Sequence, residues 1–308
     1  MKEKLLSKLK TNLPLFLFVL VISFVVVGMK MEAFYLFFFV FVMIFWEVFD
    51  DEYDISDTDT TTGSDIVKTP CKTYYGDELN FSNEVISNCL AKRLPYYSYL
   101  TVDEKKKFIR RTKEFMADKT FRIHDKQGFI EMPILISAAA VQLSFGLNNY
   151  LLPQFKKINI YPEEFMRVRE GIHFLEGNVS GTSINISWKH FLEGFAVPDD
   201  GQNVGLHEMA HAYYYQNFVA NEDRDKNFVS YFPEFNLNAN KAFDQERKPG
   251  YDLYSEYALT NFQEFWAESI ELFFEKPAFL NASYPDLYAA LKELLKQDPM
   301  NNVASVAC

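Results

Sequence analysis

The sequence predicts an α+β domain, with a small sheet in its first half and a helical C-terminal half, preceded by an N-terminal transmembrane hairpin. Three observations lead there. Residues 157–161 (KINIY) and 182–188 (TSINISW) alternate apolar with polar side chains and are rich in β-branched residues, the pattern of strands. Beyond Gly205 the apolar residues recur mainly at helical spacing. Before residue 50 lie two almost wholly apolar runs.

Those runs are residues 13–29 and 33–49, at the lower edge of the length that spans a bilayer as a helix. Lys30-Met31-Glu32 separates them. A single helix through both would bury Lys30 and Glu32 near mid-membrane, which is expensive. Two short spanning helices joined by a tight turn fit better. Lys2, Lys4, Lys8 and Lys10 precede the first run, so the positive-inside tendency keeps the N-terminus cytoplasmic. Two crossings then return the chain, giving a multi-pass membrane protein with the domain that follows in the cytoplasm. The competing reading is a signal peptide, but no small-x-small cleavage site follows the apolar core. A single crossing would put the domain outside.

Residues 50–65 (DDEYDISDTDTTTGSD) have no apolar periodicity and read as a solvated acidic linker. The alternating acids do not meet the calcium-loop pattern of a central Gly and a closing Glu. Residues 1–49 thus form the anchor, 50–65 the linker and 66–308 one domain without internal repeats. Within that domain, 102–116 (VDEKKKFIRRTKEFM) has helical spacing and a charged face. Residues 133–147 (PILISAAAVQLSFGL) open with Pro and are rich in Ala, so they read as a buried helix. Residues 166–173 are a candidate third strand.

The formal charge is −11. Lysines outnumber acids in residues 1–49, so the acid excess lies in the domain, which disfavours nucleic acid as a partner. The three cysteines, Cys71, Cys89 and Cys308, are no disulfide framework and contain no CxxC metal pair. One Cys71–Cys89 bridge stays open as an alternative.

The chemistry sits in 203–215, NVGLHEMAHAYYY. Its core is His207-Glu208-Met209-Ala210-His211. On a helix, positions i and i+4 share a face one turn apart, so His207 and His211 can hold one zinc ion. Glu208 follows the first histidine and stands beside the metal, placed to take a proton from the activated water and pass it to the leaving amine. The bland alternative is two surface histidines with a chance Glu. Apolar and small flanks (Val204, Leu206, Met209, Ala210, Ala212) favour a buried, functional helix.

A catalytic zinc needs a third protein ligand and an open position. His124, His173 and His190 all lie upstream, and no histidine lies downstream. The ligand is therefore expected to be a downstream carboxylate. The segment 256–277 (EYALTNFQEFWAESIELFFEKP) reads as one strong helix, with Asn261 and Glu264 as a capping pair and Pro277 at its end. Glu264, Glu268 and Glu271 share one face at i, i+4, i+7, and spacing alone does not choose among them. One of Glu268 and Glu271 is a candidate acceptor for a ligand histidine.

With these segments in view, the chain resembles the Mlc titration factor A family of zinc peptidases. NVGLHEMAH, YALTNFQEFWAESIELFFEKP and YPDLYAALKELLKQDP carry the resemblance. LPYYSYLTVDEKKKFIRRTKEFM, AAAVQLSFGL, INIYPEEF and INISWKHFLEGF extend it, so it runs from Leu94 to Pro299. It implies a gluzincin fold like the catalytic domain of anthrax lethal factor. In that family the third ligand is the Glu of a Tyr-Ala-x-x-x-x-x-Glu segment, here Tyr257-Ala258 and Glu264. The resemblance also implies that Tyr257 stabilises the oxyanion, against the alternative that it only packs.

The expected function is a zinc-dependent peptidase: His207, His211 and Glu264 hold Zn2+, Glu208 is base and acid, and Tyr257 donates to the oxyanion. A peptide or protein is the substrate, and residues 182–188 are the candidate edge along which it pairs. The alternative is a membrane-tethered binding or regulatory module of the same fold, with a regulatory protein partner and little turnover.

Overall fold

The computed structural model describes residues 71–125, 130–168, 172–220 and 223–304. All of them fall within the compact unit Ile55–Cys308. The chain runs from β1 (Lys72–Tyr75) through α1 (Asn83–Arg93), α2 (Pro95–Tyr99) and α3 (Val102–Ala117) to β2 (Thr120–Ile123) and α4 (Glu131–Ser144). Next come β3 (Lys157–Tyr161), β4 (Phe165–Val168), β5 (Ile172–Leu175), β6 (Gly177–Ser180) and β7 (Ser183–Ser187). The second half is α5 (Trp188–Ala196), α6 (Val204–Phe218), α7 (Lys226–Glu246), α8 (Phe262–Glu275), α9 (Pro277–Ser283), α10 (Pro285–Leu295) and α11 (Pro299–Ala304). This is the expected α+β domain with a small sheet and a helical C-terminal half.

Local sequence explains the helix ends. Thr101 and Glu104 form a capping box at the start of α3, each side chain bonding the other's backbone N–H. Asn203, Asp225 and Asn261 cap α6, α7 and α8 with their side-chain oxygens. The helix expected over 256–277 begins only at Phe262, because Asn261 is extended and caps it; the residues before form a tight turn at Ala258–Thr260. Pro277 opens α9, as befits a residue that cannot continue α8.

The five-stranded sheet has the order β1-β2-β3-β7-β6. β2, β3 and β7 run parallel, and β1 and β6 flank them antiparallel. Phe121, Ile123, Ile158, Ile160, Ile184 and Ile186 are buried in the core. Two strand expectations need correction. Residues 166–173 do not form one strand but the hairpin β4–β5. Residues 182–188 are not the sheet edge: β7 is buried along its whole length between β3 and β6. The reason is the turn at Gly181, whose φ of +52° a glycine adopts freely, and which folds β6 back along β7's outer side. Cys71 and Cys89 are both free thiols, so no bridge joins them.

The transmembrane part of the expected fold is also corrected. Among the described residues no helix is long and apolar enough to cross a membrane. The most apolar, α4, has 14 residues and is about 21 Å long, short of a hydrocarbon core of about 30 Å. α7 is longer but mixes buried apolar residues with polar ones along its length. The multi-pass location drawn from a hairpin over 13–49 thus finds no spanning element, and those residues, like the 50–65 linker, lie outside the described ones.

Candidate metal centre

α6 packs against α4, α8, β6 and β7, so the motif-bearing helix is held from several sides. Trp266 of α8 is fully buried and donates its indole N–H to the Ala210 carbonyl at 2.9 Å, which fixes α8 against the middle of α6. Phe228, Phe232 and Phe235 of α7 pack edge-on around that indole. The aromatic face of α8 is therefore core, and its acidic face meets the histidines.

His207 and His211 come together as their spacing requires. Their Nε2 atoms lie 3.1 Å apart, and Glu264 Oε2 lies 3.0 Å from the first and 3.2 Å from the second. This triangle is the one His/Cys/Asp/Glu cluster with metal-ligand geometry among the described residues. Three tetrahedral ligands about 2.1 Å from one ion stand about 3.4 Å apart, so the residues fit a small divalent cation. Of the other histidines, His124 stacks on Tyr161 and His190 sits among Glu164, Glu176 and Glu193, so neither joins the site.

Charge follows geometry. Burial opposes a proton on His207, but Glu264, Glu271 and Glu208 outweigh it and hold its pKa well above the ordinary value. Burial likewise disfavours the Glu264 charge, yet its bonds to both histidines hold its carboxyl well below the usual range. The cluster is thus rich in carboxylate charge, which a dication would offset.

Glu271, two turns along α8 from Glu264, bonds Nδ1 of His207 through one oxygen. Through the other it accepts the Asn203 backbone N–H at 2.6 Å. This fixes the His207 ring with Nε2 facing His211 and Glu264. Asn203 in turn donates its amide to Glu275 at 2.8 Å. Of the two outer acceptors the spacing left open, Glu271 is the one used. Glu268 turns the other way, to Ser255.

Glu208 is buried, and its Oε2 finds no hydrogen-bond partner. Burial pushes its pKa up to about 7, with His207 and His211 pulling it down and Glu264 and Glu271 pushing it up. An orphaned carboxylate oxygen beside these two histidines is what a reacting proton or a metal would satisfy. Gly177 of β6 lies directly against it. A Cβ there would fall 2.5 Å from Glu208 Oε1 and 2.6 Å from Cγ. The sequence carries no signal for this contact. The ring of Tyr257 lies 6.5 Å from that of His207. Partial burial, then the Glu264 and Glu208 charges, push its phenol up to about 12.

Two histidines one turn apart and a carboxylate from a second helix form a cluster that could hold a metal ion, with a buried acid beside the first histidine. The chain belongs to the glucose-regulated metallo-peptidase M90 family, whose model matches residues 77–296, the family of Mlc titration factor A. It is also 26% identical over 232 residues to an uncharacterized protein of Synechocystis sp., covering 69% of this chain and 84% of that protein.

Proposed function

We propose that this chain is a zinc-dependent peptidase, with His207, His211 and Glu264 as its ligands. The observation that carries the reading is the triangle of three ligand atoms with the unpartnered Glu208 carboxylate beside it. Imidazole and carboxylate donors in that number suit zinc. When bound, zinc supplies Lewis acidity, lowering the pKa of a water to about 7 and polarising the scissile carbonyl.

The chain's own residues do the rest. Glu208 takes the proton of the attacking water and returns it to the leaving amine. Tyr257, whose raised pKa keeps its proton at neutral pH, donates a hydrogen bond to the developing oxyanion. β6 is the outer strand beside α6, so an extended peptide pairs along it, one strand further out than the sequence suggested. Gly177 lets that strand approach the base.

The test is metal content and cleavage of a peptide library by the purified full chain. About one zinc per chain, with cleavage stopped by chelator and restored by zinc, is the expected result. A folded, zinc-loaded chain that cleaves nothing would favour the binding module instead. Within the same assay, Gly177→Ala should displace the Glu208 carboxylate and lower kcat by about 10- to 100-fold, with zinc retained, because misplacing a base by about 1 Å has that effect. Unchanged turnover in G177A would show that Glu208 tolerates the shift and is not the positioned base.

A further inference from the structure

We propose that Glu268 is a positioning residue for Tyr257: it clamps the 255–258 turn onto α8 and so sets where the phenol stands beside the metal centre. The inference rests on the reading of Tyr257 as an oxyanion donor, and it assigns Glu268 a task that spacing did not reveal.

The turn that carries Tyr257 is anchored on either side but exposed in the middle. Upstream, the Tyr254 ring stacks on Phe265 with centroids 4.1 Å apart. Its hydroxyl bonds Ser269 Oγ at 2.9 Å, and its N–H donates to Glu246 at 3.2 Å. Downstream, Ala258 is fully buried, and Asn261 starts α8. Between them Ser255, Glu256 and Tyr257 are exposed. Glu268 reaches into this gap. One carboxylate oxygen accepts the Ser255 backbone N–H at 2.7 Å and the other accepts the Ser255 hydroxyl at 2.5 Å. Ser255 Oγ in turn accepts the Ala258 N–H at 3.1 Å. The carboxylate, the serine and the residue after Tyr257 form one relay.

The direction of that relay follows from the donor inventory. An ionised carboxylate only accepts, so it orients the Ser255 hydroxyl toward itself and leaves the serine lone pairs facing the Ala258 N–H. Glu268 stands one helical turn from Glu264, so the clamp and the third ligand ride on the same rigid segment. The phenol is thereby registered to the ligand helix rather than to a free loop. Both oxygens of Glu268 are engaged in the clamp, while Glu264 fills the ligand position.

The experiment compares wild type, E268A, E268Q, Y257F and E268A/Y257F as zinc-loaded full chains. Amide hydrogen exchange is read in peptides spanning 252–262 and 204–218, beside zinc content and peptide turnover. E268A should speed exchange in 252–262, leave 204–218 and zinc content unchanged, and lower kcat by about tenfold with little change in KM. E268Q can still accept the Ser255 N–H and donate to Oγ, so it should restore both readouts most of the way. In the Y257F background the E268A loss of turnover should vanish, because coupled residues are not additive. Unchanged exchange at 252–262, faster exchange in both peptides, loss of zinc, or the same kcat loss in both backgrounds would each overturn the proposal. Full activity in Y257F would remove the catalytic role beneath it, and the exchange data would still decide the clamp.

Discussion

Replacing Glu208 by Gln should cut peptide hydrolysis by about 10²- to 10⁴-fold, the range a general base contributes, while leaving zinc bound. The two side chains have nearly the same shape, and none of the three ligand atoms belongs to residue 208. What changes is the ability to hold a proton. The fold should not suffer, and a pH comparison shows why. Burial raises the Glu208 pKa from 4.5 to about 7 in the metal-free protein. The folded state therefore binds this proton more tightly than the unfolded one. The resulting stability is fully present below about pH 4.5 and is lost as pH rises toward 7. E208Q carries no such titration. In chelator, its stability relative to wild type should grow between pH 4.5 and 7 and level off above. Thermal melts across that range, beside zinc content and turnover at neutral pH, test both halves. Wild-type turnover in E208Q would remove Glu208 from the mechanism.

The pair His207 and His211 was legible because helical periodicity is a local property: residues four apart meet whatever the rest of the chain does. The caps Asn203 and Asn261 act within three residues and are open to the same reasoning. The proposed third ligand was less so. Glu264, Glu268 and Glu271 share a face by spacing, and only the family resemblance favoured the first. What separates them is where the partners of α8 lie, with α6 on one side and the 255–258 turn on the other. The sheet order was illegible for a related reason. The alternation of TSINISW reads as a half-exposed strand, but β7 is buried on both faces because β6 and β3 flank it and helices pack on it. Gly177 against Glu208 joins residues 31 apart in sequence, and no local pattern announces such a contact. The apolar runs at 13–29 and 33–49 lie outside the described residues.

Glu264→Ala should abolish stoichiometric zinc binding, and the three carboxylates of α8 should rank in a fixed order. Glu264 places an oxygen 3.0 and 3.2 Å from the two ligand nitrogens, so its removal leaves two imidazoles to hold the ion. Glu271 touches only the far nitrogen of His207 and the Asn203 backbone, so Glu271→Ala should weaken zinc by the 10- to 100-fold typical of an outer partner. Glu268 bonds Ser255 and no ligand, so Glu268→Ala should leave zinc affinity unchanged. Competition with a fluorescent chelator measures all three on one scale. The ranking discriminates between spacing and geometry, because the same helix face carries all three acids. Zinc retained in E264A but lost in E268A would mean that α8 is shifted along its axis by about one turn from the arrangement here, and would move the third ligand to Glu268. Zinc lost equally in E264A and E271A would make Glu271 a direct ligand rather than the brace of His207.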